Sequence, residues 1–335
     1  MTTIGQPESF RAYGVDKPDG SFQRGLRDVP RSMLGNGDVL VRVAWSSVNF
    51  KDGLAATADG RVARSYPLIL GIDLAGTVVE SSSPDLRRGD EVIAHGYDLG
   101  TSHHGGFAEY ASVPAGWVVP LPPGLSLRDS MAMGTAGFTA AMAVDALVSR
   151  GLGPDHGPVL VTGATGGVGS TAISLLAERG FEVWATTGKA DEHGWLSELG
   201  AVGFLSREEC AGPGRPLEGE RWAGAVDAVG QATLPYVLRT LKRGAAVAAC
   251  GNSSGSALET TVFPFILRGV AMLGMDSAYV SIEVRRRLWG RLATDLRPRS
   301  LGDRVTEVPL DGVEAALDAV RAGAARGRWL VRVAG

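Results

Sequence analysis

Short apolar runs that break into glycine recur through the second half of the chain, with runs of helical period between them. Residues 159–169, VLVTGATGGVG, open with three branched apolar residues and then turn glycine-rich. Such a run suits a strand buried on both faces, and its glycines let the backbone turn sharply. Residues 170–179, STAISLLAER, carry apolar side chains at helical spacing and stop at Gly180, a favourable left-handed helix end. Further strands are read at residues 181–186 (FEVWAT), 223–229 (AGAVDAV) and 245–250 (AAVAAC), the last two running into glycine. Strands alternating with helices predict a parallel sheet.

The first hundred residues are patterned differently. Residues 38–45 (DVLVRVAW), 75–80 (AGTVVE) and 88–94 (RGDEVIA) are short strands punctuated by Gly, Pro and Asp, which predicts a compact, partly open barrel. Residues 130–141 (SMAMGTAGFTAA) predict a helix surface of small residues. A helix is expected over 282–296, then strands at 308–310 and 329–333 that return to the first domain. The expected division is 1–125 with 297–335 for one domain and 126–296 for the other.

Composition narrows the class. A chain of 335 residues exceeds what one core usually serves. A formal net charge of -3 offers no basic face for nucleic acid. Residues 1–9 lack the basic and apolar regions of a secretory leader, and no unbroken apolar run is long enough for a bilayer, so no membrane partner is expected. Two cysteines, Cys210 and Cys250, make neither a disulfide framework nor a four-thiolate zinc site, and a cytoplasmic location is expected.

The chemistry begins at the glycine turn. A helix that starts there points free N–H groups at a phosphate. NAD-binding units of this kind place an acid roughly 20 residues past the glycines to hold the ribose. Here the second strand ends in Thr187, Gly188 and Lys189, whose hydroxyl, backbone N–H and ammonium would attract a 2′-phosphate that an acid would repel. NADPH is therefore the expected cofactor.

With residues 46–52 (SSVNFKD), 71–78 (GIDLAGTV), 134–140 (GTAGFTA) and the nucleotide loop in hand, the chain resembles the medium-chain dehydrogenase/reductase superfamily. It is most similar to the zinc-independent branch of quinone-oxidoreductase-like and acrylyl-CoA reductase proteins, and residues 264–270 (PFILRGV) and 274–277 (GMDS) look like the latter. The resemblance implies an α/β fold in which both ends of the chain form a GroES-like β-barrel catalytic domain and a Rossmann nucleotide-binding domain is inserted between them. It also implies a homodimer paired through the edge strand at 270–274.

Position by position, the resemblance implies that Asn49, Phe50 and Lys51 lie beside the nicotinamide and substrate, with Asn49 and Lys51 as catalytic candidates. It assigns the diphosphate to Thr165, Gly166, Gly167 and Val168, the 2′-phosphate to Thr187, Gly188 and Lys189, and a flanking cation to Arg207. Cys250, Gly251 and Asn252 close a central strand where open sheets bind ligands, and Ile266, Ser277 and Arg328 match positions that approach the cofactor. Asp52 and Asp73 are expected to be buried, paired with Lys51 or another cation.

Zinc-dependent relatives put a Cys where this chain has Asn49, and Gly-His-Glu where it has Gly71, Ile72 and Asp73. An amide and an isoleucine cannot serve as those ligands. His95, His103 and His104 are the histidines that could offer a substitute metal site, but His103 and His104, adjacent in a loop beside two glycines, read as solvated or substrate-facing, so no metal is expected. Without a Lewis acid, the chemistry that remains is hydride addition to an activated alkene, whose developing enolate can be held by hydrogen-bond donors alone. The expectation is an NADPH-dependent reduction of a C=C bond in a small enoyl thioester such as acrylyl-CoA. A quinone or enone reductase, a metal-dependent alcohol dehydrogenase and an NADPH-binding protein without turnover stay open as alternatives.

Overall fold

The structure is a computed structural model that describes residues 8–35, 37–299 and 304–333. The expectation about a leader at residues 1–9 falls mostly outside them. The chain divides into two compact units, one of residues 1–135, 278–293 and 302–335, the other of residues 136–277 and 294–301.

In the second unit, Val159–Val161 is wholly buried and takes parallel partners on both sides. The six-stranded order is Ala201–Leu205, Val183–Thr186, Val159–Val161, Trp222–Asp227, Leu241–Ala249 and Ala271–Gly274, every neighbouring pair parallel. The chain thus runs outward from Val159–Val161 to one edge and then returns to build the other side. Between Val159–Val161 and Trp222–Asp227 the direction of winding reverses, which is where sheets of this order hold a dinucleotide. Leu160, Trp222, Val237, Leu238 and Val247 fill the core on one face. The second strand starts at Val183 and not at Phe181, because Phe181 N still donates to Leu176 O to close the preceding helix.

In the first unit, Val39–Val48 is the strand that the others gather around. It pairs antiparallel with Asp73–Ser81, Tyr110–Val113 and Arg328–Arg332, and Val305–Pro309 lies parallel to the last of these. The C-terminal strands therefore return to the N-terminal sheet, with Trp329 opposite Val48. A smaller sheet joins Gln23–Pro30, Ser9–Asp16 and Leu68–Ile69.

Two features depart from the sequence pattern. The boundaries expected at 125 and 296 move, so that residues 126–135 and 278–293 belong with the first unit. Backbone groups of Ala132 and Thr135 bond to Arg328 and Asp73 there, and Arg285 and Trp289 bond to His95. The helix Leu127–Ser149 is, among the described residues, the one long and apolar enough by length and composition to cross a membrane, which no run in the sequence was expected to be. It is largely buried and is interrupted at Gly134, where φ is 52° and ψ −158°.

Candidate active site

The glycine turn is shaped by close backbone approach. Gly163 has φ +61°, and a Cβ on Gly169 would run into Gly163 O, so the helix Gly167–Ala177 starts hard against the end of the first strand. Gly166 caps it in extended conformation, and the nearest atom to a Cβ there would be 3.4 Å away. Thr165 is buried, while Gly166 is exposed and Gly167 and Val168 are half-buried. These residues fit a diphosphate, since they leave backbone N–H groups open at a helix start of eleven residues. At the end of the next strand, Lys189 N donates to Thr187 Oγ1 at 3.0 Å, and the Arg207 guanidinium lies against Gly188, its Nε 2.9 Å from where a Cβ would stand. The Arg207 guanidinium thus lies at the strand end that carries Thr187, Gly188 and Lys189, although 17 residues of chain lie between Lys189 and Arg207.

In the first unit a second polar group is organised around Asp73, whose exposure is 0%. Ser47 Oγ and Thr135 Oγ1 both donate to it in short hydrogen bonds. Thr135 N donates to Oδ2 at 2.9 Å and Asn49 Nδ2 at 2.8 Å. Arg328 Nη2 stands 4.0 Å from Oδ2 and donates to Ser47 Oγ at 2.8 Å, while its Nη1 donates to Asn49 Oδ1 at 3.2 Å. The Asn49 amide therefore has a fixed sense, with nitrogen toward a carboxylate and oxygen toward a guanidinium. Burial pulls the pKa of Arg328 down, and the carboxylates of Asp73 and Asp52 oppose that pull. Gly134 is enclosed by the same group, since a Cβ on it would lie 2.5 Å from Asp73 Oδ2 and from Ser47 Oγ.

Asp52 is the second buried carboxylate. It caps the helix Phe50–Ala55, accepting from Asn49 N at 2.8 Å, and accepts from Ile72 N at 2.8 Å with its other oxygen. Burial, with the nearby Asp73 charge adding to it, pushes its pKa up to about 7.

Residues 35–123 match the family model of the alcohol dehydrogenase GroES-like domain, and residues 167–293 that of the zinc-binding dehydrogenase. The chain is 45% identical to the putative quinone oxidoreductase YhfP of Bacillus subtilis, over 97% of this chain and 99% of that protein. It is also 45% identical to the acrylyl-CoA reductase AcuI of Ruegeria pomeroyi, again over 97% and 99%. The crystal structure of the yhdH oxidoreductase from Salmonella enterica in complex with NADP has a TM-score of 0.94 at 45% identity, covering 97% of this chain and 100% of that one. YhfP, solved with NAD bound, has the same TM-score and covers 98% and 100%. The chain is a medium-chain dehydrogenase/reductase.

Within this oxidoreductase family the donor set decides whether a metal fits. Ile72 offers only hydrocarbon, and among the described residues no three His, Cys, Asp or Glu side chains stand together as a metal site. His95 is buried against Arg285 and Trp289, His103 packs edge-on to Trp117, and His104 Nδ1 accepts from Ile69 N. The residues present do not fit the catalytic zinc of alcohol-dehydrogenase relatives.

The remaining expected site residues are spread over both units. Lys51 is exposed on the Phe50–Ala55 helix and, among the described residues, has no ion-pair partner; the cation beside Asp73 is Arg328. Phe50 is 38% exposed. Cys250 N donates to Asp227 O, and burial pushes the Cys250 thiol up to about 12, which removes it as a nucleophile at neutral pH. Gly251 and Asn252 follow it, exposed, and a Cβ on Gly251 would meet Ala228 O. Ser277 Oγ accepts from Thr139 Oγ1 at 2.8 Å, and Ile266 is 67% exposed on its short helix. Sequence reasoning missed Ser47, Gly134, Thr135 and Arg285, and weighed His95 only as a metal ligand. Gly134 and Thr135 lie inside the GTAGFTA run, and Arg285 heads the spacing Arg285, Leu288, Trp289, Leu292, the buried stripe of its helix. Of the three consecutive arginines 285–287, Arg286 and Arg287 are exposed and Arg285 is buried.

A carboxyl whose pKa is raised by folding stabilises the native state below its unfolded pKa, about 3.9, and that contribution is lost as pH rises through the folded value of about 7. Melting curves of the wild type should therefore carry a falling stability component between about pH 4 and 7 that Asp52→Asn lacks. Parallel pH profiles for the two proteins would refute the assignment.

Proposed function

We propose that this chain is an NADPH-dependent reductase of an activated C=C bond in a small enoyl thioester of the acrylyl-CoA kind, working without a metal. The observation that carries the reading is the Asp73 group, because the position at which related zinc enzymes would hold a ligand is occupied by an amide bonded at both ends. Bound at the glycine turn, NADPH would supply a hydride for the β-carbon of the alkene. Negative charge then develops on the thioester oxygen and needs hydrogen-bond donors. Asn49 spends its amide on Asp73 and Arg328, so its role is to fix the start of the helix that carries Phe50 and Lys51. Lys51, with three free donors, is the residue we assign to the oxygen. Water or a polar group protonates the α-carbon. The likeness to AcuI supports the thioester, and the equal likeness to YhfP supports a quinone or enone as the second reading.

The preference for NADPH rests on Thr187, Lys189 and Arg207 at a strand end without an acid, and on the NADP held by the Salmonella relative. The NAD in YhfP means that the preference has to be tested on this chain's own cations. Dimer formation is supported by the edge strand Ala271–Gly274, which exposes Met272, next to a helix that exposes Phe263, Ile266 and Leu267. A cytoplasmic setting suits Cys210 and Cys250, neither of them in a disulfide.

NADPH oxidation in EDTA-treated protein should be fastest with acrylyl-CoA in a panel with an enone, a quinone and an aldehyde. Turnover of the quinone alone would select the second reading, activity confined to the aldehyde and lost with EDTA would restore a metal mechanism, and no turnover would leave a binding protein. Arg207→Ala should raise KM for NADPH about 10- to 100-fold, the worth of a charged hydrogen bond, and leave KM for NADH nearly unchanged. Equal effects on both would remove the 2′-phosphate assignment. Light scattering should return twice the monomer mass of 34.9 kDa, and a monomer would end the edge-strand pairing.

A further inference from the structure

His95, at 1% exposure, has its two ring nitrogens engaged by different neighbours. Trp289 Nε1, which can only donate, lies 2.8 Å from His95 Nε2, and Thr135 Oγ1 lies 3.3 Å from Nδ1. Arg285 Nη1 is 2.8 Å from one ring nitrogen and 2.9 Å from the other. An atom nearly equidistant from both cannot lie in the ring plane without colliding with Cε1, so this cation sits over the ring face and leaves both lone-pair directions to Trp289 and Thr135. Burial, and then the Arg285 charge, push the His95 pKa well below its ordinary value, which keeps the ring neutral. With Nε2 accepting from Trp289, the single ring proton belongs on Nδ1 and points at Thr135 Oγ1. That oxygen accepts from His95 and passes its own proton toward Asp73 Oδ1.

We propose that Thr135 is a positioning residue for the reductase. Oriented by His95, its hydroxyl fixes Asp73, and Asp73 fixes the Asn49 amide from which the helix bearing Lys51 begins. The inference rests on the role assigned to Lys51 above. It adds Thr135, His95, Trp289 and Arg285 to the apparatus, none of which need touch substrate.

The test pairs two substitutions with a measurement that requires no turnover. Thr135→Val keeps the shape and removes the hydroxyl; kcat should fall about 10- to 100-fold while KM for NADPH stays within about twofold. Thr135→Ser, which returns the hydroxyl, should recover most of kcat. A valine variant at wild-type kcat, or a serine variant as slow as valine, would overturn the proposal, the latter because it points to the methyl group. Independently, proton–nitrogen NMR of histidine-labelled protein, assigned with His95→Gln, should find the His95 proton on Nδ1 and its resonance displaced in Thr135→Val or, if that variant does not fold, in Thr135→Ala, which also lacks the hydroxyl. A proton on Nε2 in the wild type would overturn the proposal even if the substrate reading were right. A proton on Nδ1 displaced in the variant would sustain the hydrogen-bond chain even if acrylyl-CoA proved to be the wrong substrate.

Discussion

A carboxylate withdrawn completely from water needs donors, because a buried charge without partners costs several kcal/mol. Asp73 is such a group, and meeting its demand constrains the first unit. Its donors come from the strand Val39–Val48, from the residue that follows that strand, and from the break in the helix Leu127–Ser149. Arg328 comes from the C-terminal strand and reaches the same group through Ser47. Segments more than 250 residues apart in sequence are thus tied at one oxygen atom and its neighbours. The glycine at 134 follows from this. With Asp73, Ser47 and Arg328 closing around its Cα, and with φ at +52°, a side chain has neither room nor a comfortable conformation.

The second unit solves a different problem by different means. Its sheet needs no buried charge in the strands that flank the nucleotide turn, apart from Asp227, which is satisfied by Thr162, Thr233 and Gly230 N. The anion recognition we propose there needs only backbone N–H groups at the helix start and side chains at a strand end. Local geometry is enough for this task, and local geometry is what a sequence motif encodes.

That contrast explains what could be read in advance. The turn at 159–169 declared itself because strand, glycines and helix are contiguous, and the parallel strands declared themselves because burial on both faces makes them uniformly apolar. Lys189 and Arg207 each follow a strand directly in sequence, and the fold brings the Arg207 guanidinium against Gly188. The Asp73 group was not legible as a group. Ser47, Thr135, His95 and Arg285 are ordinary polar residues in their own segments, and only the tertiary pairing of Val39–Val48 with Asp73–Ser81 and the kink at Gly134 bring them together. The buried Arg285 was hidden by its neighbours, since a run of three arginines reads as a wet surface until the apolar stripe beneath it is counted.

Asn49, a catalytic candidate by resemblance, shows how much the bonding of an amide decides about its use. An amide can give two hydrogen bonds and accept two, and a free one would make a good oxyanion partner. Here Oδ1 answers Arg328 and Nδ2 answers Asp73, so the side chain is bound on both sides by charges of opposite sign. A thiolate in its place would face Asp73 without a proton to offer, and would leave that buried carboxylate one donor short. The position is therefore not a vacant ligand place. The amide is chemically integrated into a network that a metal ligand would have to dismantle.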